Sequence, residues 1–153
     1  MLRFDRRGFT LVEMLITVGI VGLLMLVGYP KAQAALRKSQ LRSARNAAIN
    51  QYQQARTRAI NEGRPVTLNL NGTSLWVTAQ PRRTVGGTGN CDTLGTIQDL
   101  SAKFGVAMAY DAATYTVDAR GLGTTPGTDN KIVFTRSGVR DSFTLGGYGR
   151  IIK

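Results

Sequence analysis

Gly8-Phe9-Thr10-Leu11-Val12-Glu13-Met14-Leu15-Ile16-Thr17-Val18-Gly19-Ile20-Val21-Gly22-Leu23-Leu24-Met25-Leu26-Val27-Gly28-Tyr29 is the stretch that decides the fold. From Phe9 to Tyr29 it runs 21 residues with a single charge. That is about the length a helix needs to cross a hydrocarbon core of roughly 30 Å. Ahead of it stand Arg3, Arg6 and Arg7 against one aspartate, Asp5, which favours a cytoplasmic N-terminus. Basic residues also follow the run, but in a long domain that translocates largely regardless of charge. A secretory signal is the competing reading. No small-x-small cleavage site closes the apolar run before Tyr29-Pro30; Ala32-Gln33-Ala34 has that shape, but the helical pattern continues past it. Glu13 is the exception inside the run. A carboxylate there costs about 2.5–3.5 kcal/mol on insertion scales, so it needs a partner or a use.

Gly8-Phe9-Thr10-Leu11-Val12-Glu13 resembles the prepilin peptidase signature of type IV pilins and type II secretion pseudopilins. The resemblance implies that residues 1–8 are a leader, cut by a prepilin peptidase between Gly8 and Phe9, and that Phe9 becomes an N-methylated terminus. It also implies a single-pass inner-membrane protein whose head leaves the cytoplasm and which joins other pilin subunits in a periplasmic or cell-surface filament. Cleavage would leave a charged amine at Phe9 in an apolar setting, and Glu13 on an adjoining subunit would neutralise it and reward correct axial register. The bland alternative is a plain membrane anchor with a snorkelling glutamate.

Beyond Pro30 the helical pattern runs from Lys31 to about Glu62. Leu41, Ala44, Ala48, Tyr52, Ala55 and Ala59 recur at spacings of three and four and trace one face. Gly63 fits a C′ cap and Pro65 cannot continue a helix. In filaments of the family resembled, the stretch between a corresponding glycine and proline unwinds; Gly22 to Pro30 occupies that place, so a labile segment is expected there. Between Glu13 and Glu62 there is no acidic residue, but there are Lys31, Arg37, Lys38, Arg42, Arg45, Arg56 and Arg58. These read as a solvated face that also meets anionic headgroups, or as a basic stripe lining a filament.

From Arg64 the period changes. Val66-Thr67-Leu68-Asn69-Leu70 alternates, Asn71-Gly72 signals a hairpin turn, and Ser74–Ala79 answers it. Residues 82–97, with Arg82, Arg83 and Gly86-Gly87-Thr88-Gly89, read as an exposed loop. Further strands are expected at Lys103–Ala109, Tyr115–Asp118, Lys131–Arg136, Ser142–Leu145 and Gly149–Ile152, with a loop from Ala119 to Asn130. The resulting fold class is α+β: a leader (1–8), a membrane or filament-core helix (9–29), its extramembrane continuation (30–63) and a β-rich head (64–153). An antiparallel sheet packed on the apolar face of the helix buries one face of each.

Composition narrows the function. The 153 residues carry a formal net charge of +11, which suits anionic partners such as nucleic acid or lipid headgroups. There is no histidine, which removes the commonest general base and metal ligand; neither an enzyme nor a cofactor or metal site is expected. Cys91, the single cysteine, cannot form an internal disulfide, and no histidine is present to activate it. The glycines at 86–89 and at 121 and 123 lack the Lys-Ser/Thr ending of a P-loop. Asn71-Gly72-Thr73 fits a glycosylation sequon on the hairpin turn. Asp129 and Asn130 offer oxygen ligands without a supporting acidic cluster.

The head, with its early hairpin and the turn Asp118-Ala119-Arg120-Gly121, resembles the FimT/H-type minor pilin class. That resemblance implies a low-abundance subunit of a type IV pilus or of a secretion pseudopilus. It also implies double-stranded DNA as a partner in natural transformation, through a C-terminal Gly-Arg-x-Arg motif. Here Gly149 and Arg150 match, Ile152 takes the second basic position, and Lys153 follows one residue late. The expected DNA-contacting residues are Arg136, Arg140, Arg150 and Lys153, with Tyr148 as an aromatic face beside them. Residues expected to act in assembly are Glu13, Gly22 and Pro30. An H-type pseudopilin of a type II secretion system, or a major pilin, is the alternative.

Overall fold

The computed structural model describes residues 9–81 and 91–153. The leader and most of the stretch 82–97 expected as a loop lie outside the described residues. Inter-residue contacts divide the chain into a unit ending at Leu36 and a unit running from Arg37 to Lys153. The division falls inside the first helix, α1 (Leu11–Glu62), so residues 37–62 of that helix group with the head rather than with the apolar run.

In the first unit α1 starts at a capping residue. The Thr10 hydroxyl accepts a hydrogen bond from the Glu13 backbone N–H at 3.2 Å, satisfying one of the donors a helix start leaves open. The helix then continues through Gly22 and Pro30 without interruption. The lability expected between those residues is therefore not a break in the lone chain. Pro30 lacks an N–H, so the i−4 carbonyl loses its helical partner there, yet the backbone stays helical.

In the second unit, α1 presents the expected stripe: Leu41, Ala44, Ala48, Tyr52, Ala55 and Ala59 are all buried, joined by Gln51. The helix ends at Gly63, whose φ of 62° is the left-handed geometry a C′ cap uses. Two antiparallel four-stranded sheets follow, rather than one. The first contains β1 (Val66–Asn71), β2 (Ser74–Ala79), β3 (Asp92–Asp99) and β5 (Thr114–Val117) in the order β3-β2-β1-β5. The second contains β4 (Ala107–Tyr110), β6 (Asn130–Arg136), β7 (Val139–Leu145) and β8 (Ile151–Ile152) in the order β4-β6-β7-β8. Alternate residues of these strands meet the helix stripe: Val66, Leu68 and Leu70, Leu75 and Val77, Tyr115 and Val117, Ile132 and Phe134, Phe143 and Leu145.

Two expectations about the head are corrected. Residues 92–97, read as loop, belong to strand β3, which pairs with β2 through Thr78↔Thr93 and Val77↔Leu94. Most of β3 is exposed, and Gly95 (φ 82°) sits where its register shifts, so no alternating pattern marked it as a strand. The strand expected from Lys103 begins only at Ala107. Before it lies α2 (Leu100–Phe104), opened by the Asp99 carboxylate, which accepts from the Ser101 and Ala102 N–H groups at 2.8 and 3.2 Å. Gly105 (φ 62°) closes it, donating its N–H to the Ser101 carbonyl.

Candidate functional site

Two places carry the residues singled out in the sequence. The first is the start of α1. Phe9, Leu11, Val12, Met14 and every large apolar side chain to Tyr29 are exposed among the described residues. The helix is long and apolar enough to cross a membrane. Glu13 lies in its first turn, where the partial positive charge of the helix terminus favours a carboxylate. Gly19, Gly22 and Gly28 have open space where a Cβ would stand, so no contact among the described residues requires glycine there. The sequence reading missed Thr10, although Thr10-x-x-Glu13 has the spacing of a helix-start motif.

The second place is the turn that enters β8. Gly146 N–H donates to the Arg150 carbonyl at 2.8 Å, and Gly149 N–H donates to the Gly146 carbonyl at 2.7 Å, closing a tight loop. Two buried tyrosines hold it from below. The Tyr52 hydroxyl on α1 donates to the Gly149 carbonyl at 2.9 Å, and the Tyr115 hydroxyl on β5 donates to the Gly146 carbonyl at 2.5 Å. Their rings meet edge to face at 5.7 Å. Burial raises the pKa of both phenols; Tyr115 is pushed up to about 12, with Tyr52 adding to the rise. Asp129 accepts from the Gly147 N–H at 3.2 Å.

The Asp118–Gly121 turn supports the same loop. Asp118 accepts N–H bonds from Leu122 and Arg120 and a guanidinium bond from Arg120, which hold its carboxyl below the usual range, the Leu122 bond most strongly. A Cβ on Gly149 would stand 2.7 Å from the Tyr52 hydroxyl oxygen and 3.3 Å from the Gly123 nitrogen, so the two glycine-bearing segments touch backbone to backbone. These glycines close a packed turn. Asn130 is likewise consumed, its amide accepting from Ala112 N–H and donating to the Ala112 carbonyl, and no acidic or sulfur cluster suited to a metal exists among the described residues.

The four expected DNA-contacting cations are not gathered in one place. Arg136 turns inward and donates to the Phe104 carbonyl at the end of α2. Arg140 is exposed at the opening of β7, whereas Arg150 is exposed beside Ile151, which pairs with Leu145 at the other end of that strand. Five positions along a strand amount to about 17 Å. Tyr148, 67% exposed, and Arg150 lie on the C-terminal turn, and Lys153, also exposed, follows β8. Cys91 is an exposed free thiol.

A long N-terminal apolar helix together with a helix-packed head of antiparallel sheets is the pilin-like architecture. Residues 3–29 match the family described as the prokaryotic N-terminal methylation motif. No curated protein matches the chain in sequence. Among solved structures, the type IV minor pilin FimU of Pseudomonas aeruginosa is similar at 18% identity and a TM-score of 0.57, covering 76% of this chain and 90% of that one. A second crystal form of FimU gives 19%, 0.54, 72% and 90%. The minor pseudopilin EpsH of Vibrio cholerae is less similar, at 16% identity and a TM-score of 0.46 over 71% of this chain and 93% of that one. The chain thus carries the methylation motif and has the pilin-like fold.

Proposed function

We propose that the chain is a minor type IV pilin: cut by a prepilin peptidase between Gly8 and Phe9, methylated at Phe9 and inserted into a filament by its apolar helix. The observation that carries this reading is the sequence Gly8–Glu13 leading into an apolar run whose large side chains are all exposed among the described residues. An uncovered run of that length has two possible environments, lipid or other helices, and a pilin occupies them in turn. Glu13 then serves as the partner of a neighbouring subunit's terminal amine. Gly22 and Pro30 supply the segment that extends on assembly, which fits glycines that no contact among the described residues demands.

Mass spectrometry of the membrane-extracted protein tests the reading. The expected mass lacks residues 1–8 and carries one added methyl group on Phe9; an intact Met1 overturns it. Glu13→Ala is expected to leave processing intact and to cut filament incorporation; normal incorporation refutes the role given to Glu13.

A second reading, capture of double-stranded DNA, is supported by the exposed Arg150 and Tyr148 on a turn that two buried tyrosines hold, with exposed Lys153 just past β8. It predicts salt-sensitive duplex binding that Arg150→Ala/Lys153→Ala abolishes. Equal binding by both forms removes the C-terminal turn as its site.

A further inference from the structure

Arg140, separated from the C-terminal cations, lies instead beside a basic group on α1. Lys38, Leu41, Arg42 and Arg45 recur at spacings of three and four on the helix, and with Val139, Arg140 and Asp141 of β7 they line an open groove of 540 Å³. All seven residues belong to the second unit, so the groove is part of the head itself. Four cations and one carboxylate share it. That carboxylate is already engaged: Asp141 Oδ1 accepts from Arg45 Nη1 at 2.8 Å and from the Ser142 N–H at 2.9 Å.

The remaining cations are unbalanced. Lys38, Arg42 and Arg140 are exposed and make no ion pair among the described residues. Arg45 is held partly buried by Asp141, each side chain 21% exposed, and its Nε has no acceptor. Like charges packed into a shared concavity repel one another unless an anion sits among them. A carboxylate carries one charge and would leave the groove strongly positive. A phosphate group carries about 1.5–2 negative charges at neutral pH and three acceptor oxygens, which suit guanidinium forks converging from two elements.

We propose that this groove binds a phosphate group, with Arg42 and Arg140 contacting it from opposite walls, Lys38 adding charge at the mouth, and the Arg45–Asp141 pair fixing the floor. Free phosphate and the headgroup of an anionic lipid offer the same chemistry. The groove residues on α1 begin nine positions after Tyr29, the last residue of the apolar run.

The test uses full-length processed protein in phosphatidylcholine nanodiscs, titrated calorimetrically with inorganic phosphate at low and moderate salt. Wild type is compared with Arg42→Gln/Arg140→Gln and with the charge-matched control Arg120→Gln/Lys131→Gln, whose exposed residues lie outside the groove. The expected result is saturable one-site binding that weakens about tenfold in the groove variant and less than twofold in the control. Because all four substituted residues are exposed, unchanged thermal unfolding checks that each variant is folded.

A repeat in nanodiscs containing phosphatidylglycerol separates the two sources. Lipid occupancy appears as competition that lowers the apparent affinity for inorganic phosphate in wild type but not in the groove variant. Unchanged affinity assigns the groove to free phosphate. Equal weakening in both double variants, or no saturable phosphate binding, overturns the proposal. So does binding of duplex DNA without binding of inorganic phosphate, because an extended polyanion surface would then be the better description.

Discussion

Between Phe9 and Tyr29 the large apolar side chains stand open, Leu26 at 80% exposure, whereas Tyr52 and Phe134 in the head are completely covered. The two regions use apolar residues in opposite ways. In the head, each buried side chain has a partner in the same chain, as when Phe134 stacks on Phe143 at 6.1 Å, so its fold is decided internally. In the N-terminal region, hydrogen bonds within the helix, such as Thr17 to the Met14 carbonyl, fix local geometry. No contact among the described residues rewards one apolar side chain over another there. In the proposed reading, what selects those residues is lipid or the helices of neighbouring subunits.

A pair of glycine substitutions tests the contrast most severely. Gly149→Ala places a Cβ 2.7 Å from the Tyr52 hydroxyl at a residue with φ 89°. Both faults strike the turn that two tyrosines hold, and a loss of about 3 kcal/mol in head stability is expected. Denaturant unfolding followed by the fluorescence of Trp76 on β2 reads it. Gly22→Ala meets no atom, so head unfolding should not change, and the local helix should gain about 0.5–1 kcal/mol. Its cost should appear only as reduced filament incorporation. A destabilised head in Gly22→Ala, or an unperturbed one in Gly149→Ala, breaks the comparison.

Alkaline unfolding is the next largest effect. Tyr115 has its folded pKa pushed up to about 12, above the ordinary 10.0, chiefly by burial. The folded head therefore holds this proton more tightly than the unfolded chain does. Its contribution is intact below pH 10 and is lost as pH rises towards 12, a fall on the order of 2 kcal/mol. Tyr115→Phe should flatten that part of the profile, at the cost of the hydrogen bond to Gly146. A wild-type profile that stays level from pH 10 to 12 rules out the buried-phenol account.

The N-terminal segment was the more legible of the two regions. Gly8–Glu13, the apolar run and the helix stripe from Leu41 to Ala59 are local patterns, readable because a helix repeats its environment every three or four residues. The β1–β2 hairpin was visible for the same reason, although its two central residues are Gly72 and Thr73, with Asn71 paired to Ser74. What escaped depends on residues far apart in sequence. Arg136 reads as a free cation until the fold brings it to Phe104, and Tyr52 reads as core until its hydroxyl meets Gly149, 97 residues away. Strand β3 escaped because its exposed side chains need no alternation. The grouping of Arg140 with Lys38, Arg42 and Arg45 arises only when β7 packs beside the helix.

The smallest predicted effect separates local chemistry from tertiary packing within the head. Strands β6 and β7 join with Arg136 paired to Val139, leaving Ser137 and Gly138 at the tip with φ values of 47° and 80°. Positive φ at both central positions is the turn that Asn-Gly favours, and serine there bears the steric cost of a left-handed backbone. The tip is exposed, so nothing in the core compensates. Ser137→Asn is expected to stabilise the head by about 0.5 kcal/mol, and Ser137→Val to destabilise it by about 1 kcal/mol, both read by the same Trp76 unfolding curve. If the turn is set by its own residues, the two shifts should survive in a Tyr115→Phe background, because sites without shared partners add. Strong non-additivity would mean that the β6–β7 tip and the tyrosine-held turn are one mechanical unit, and that even this short loop takes its geometry from the packed head.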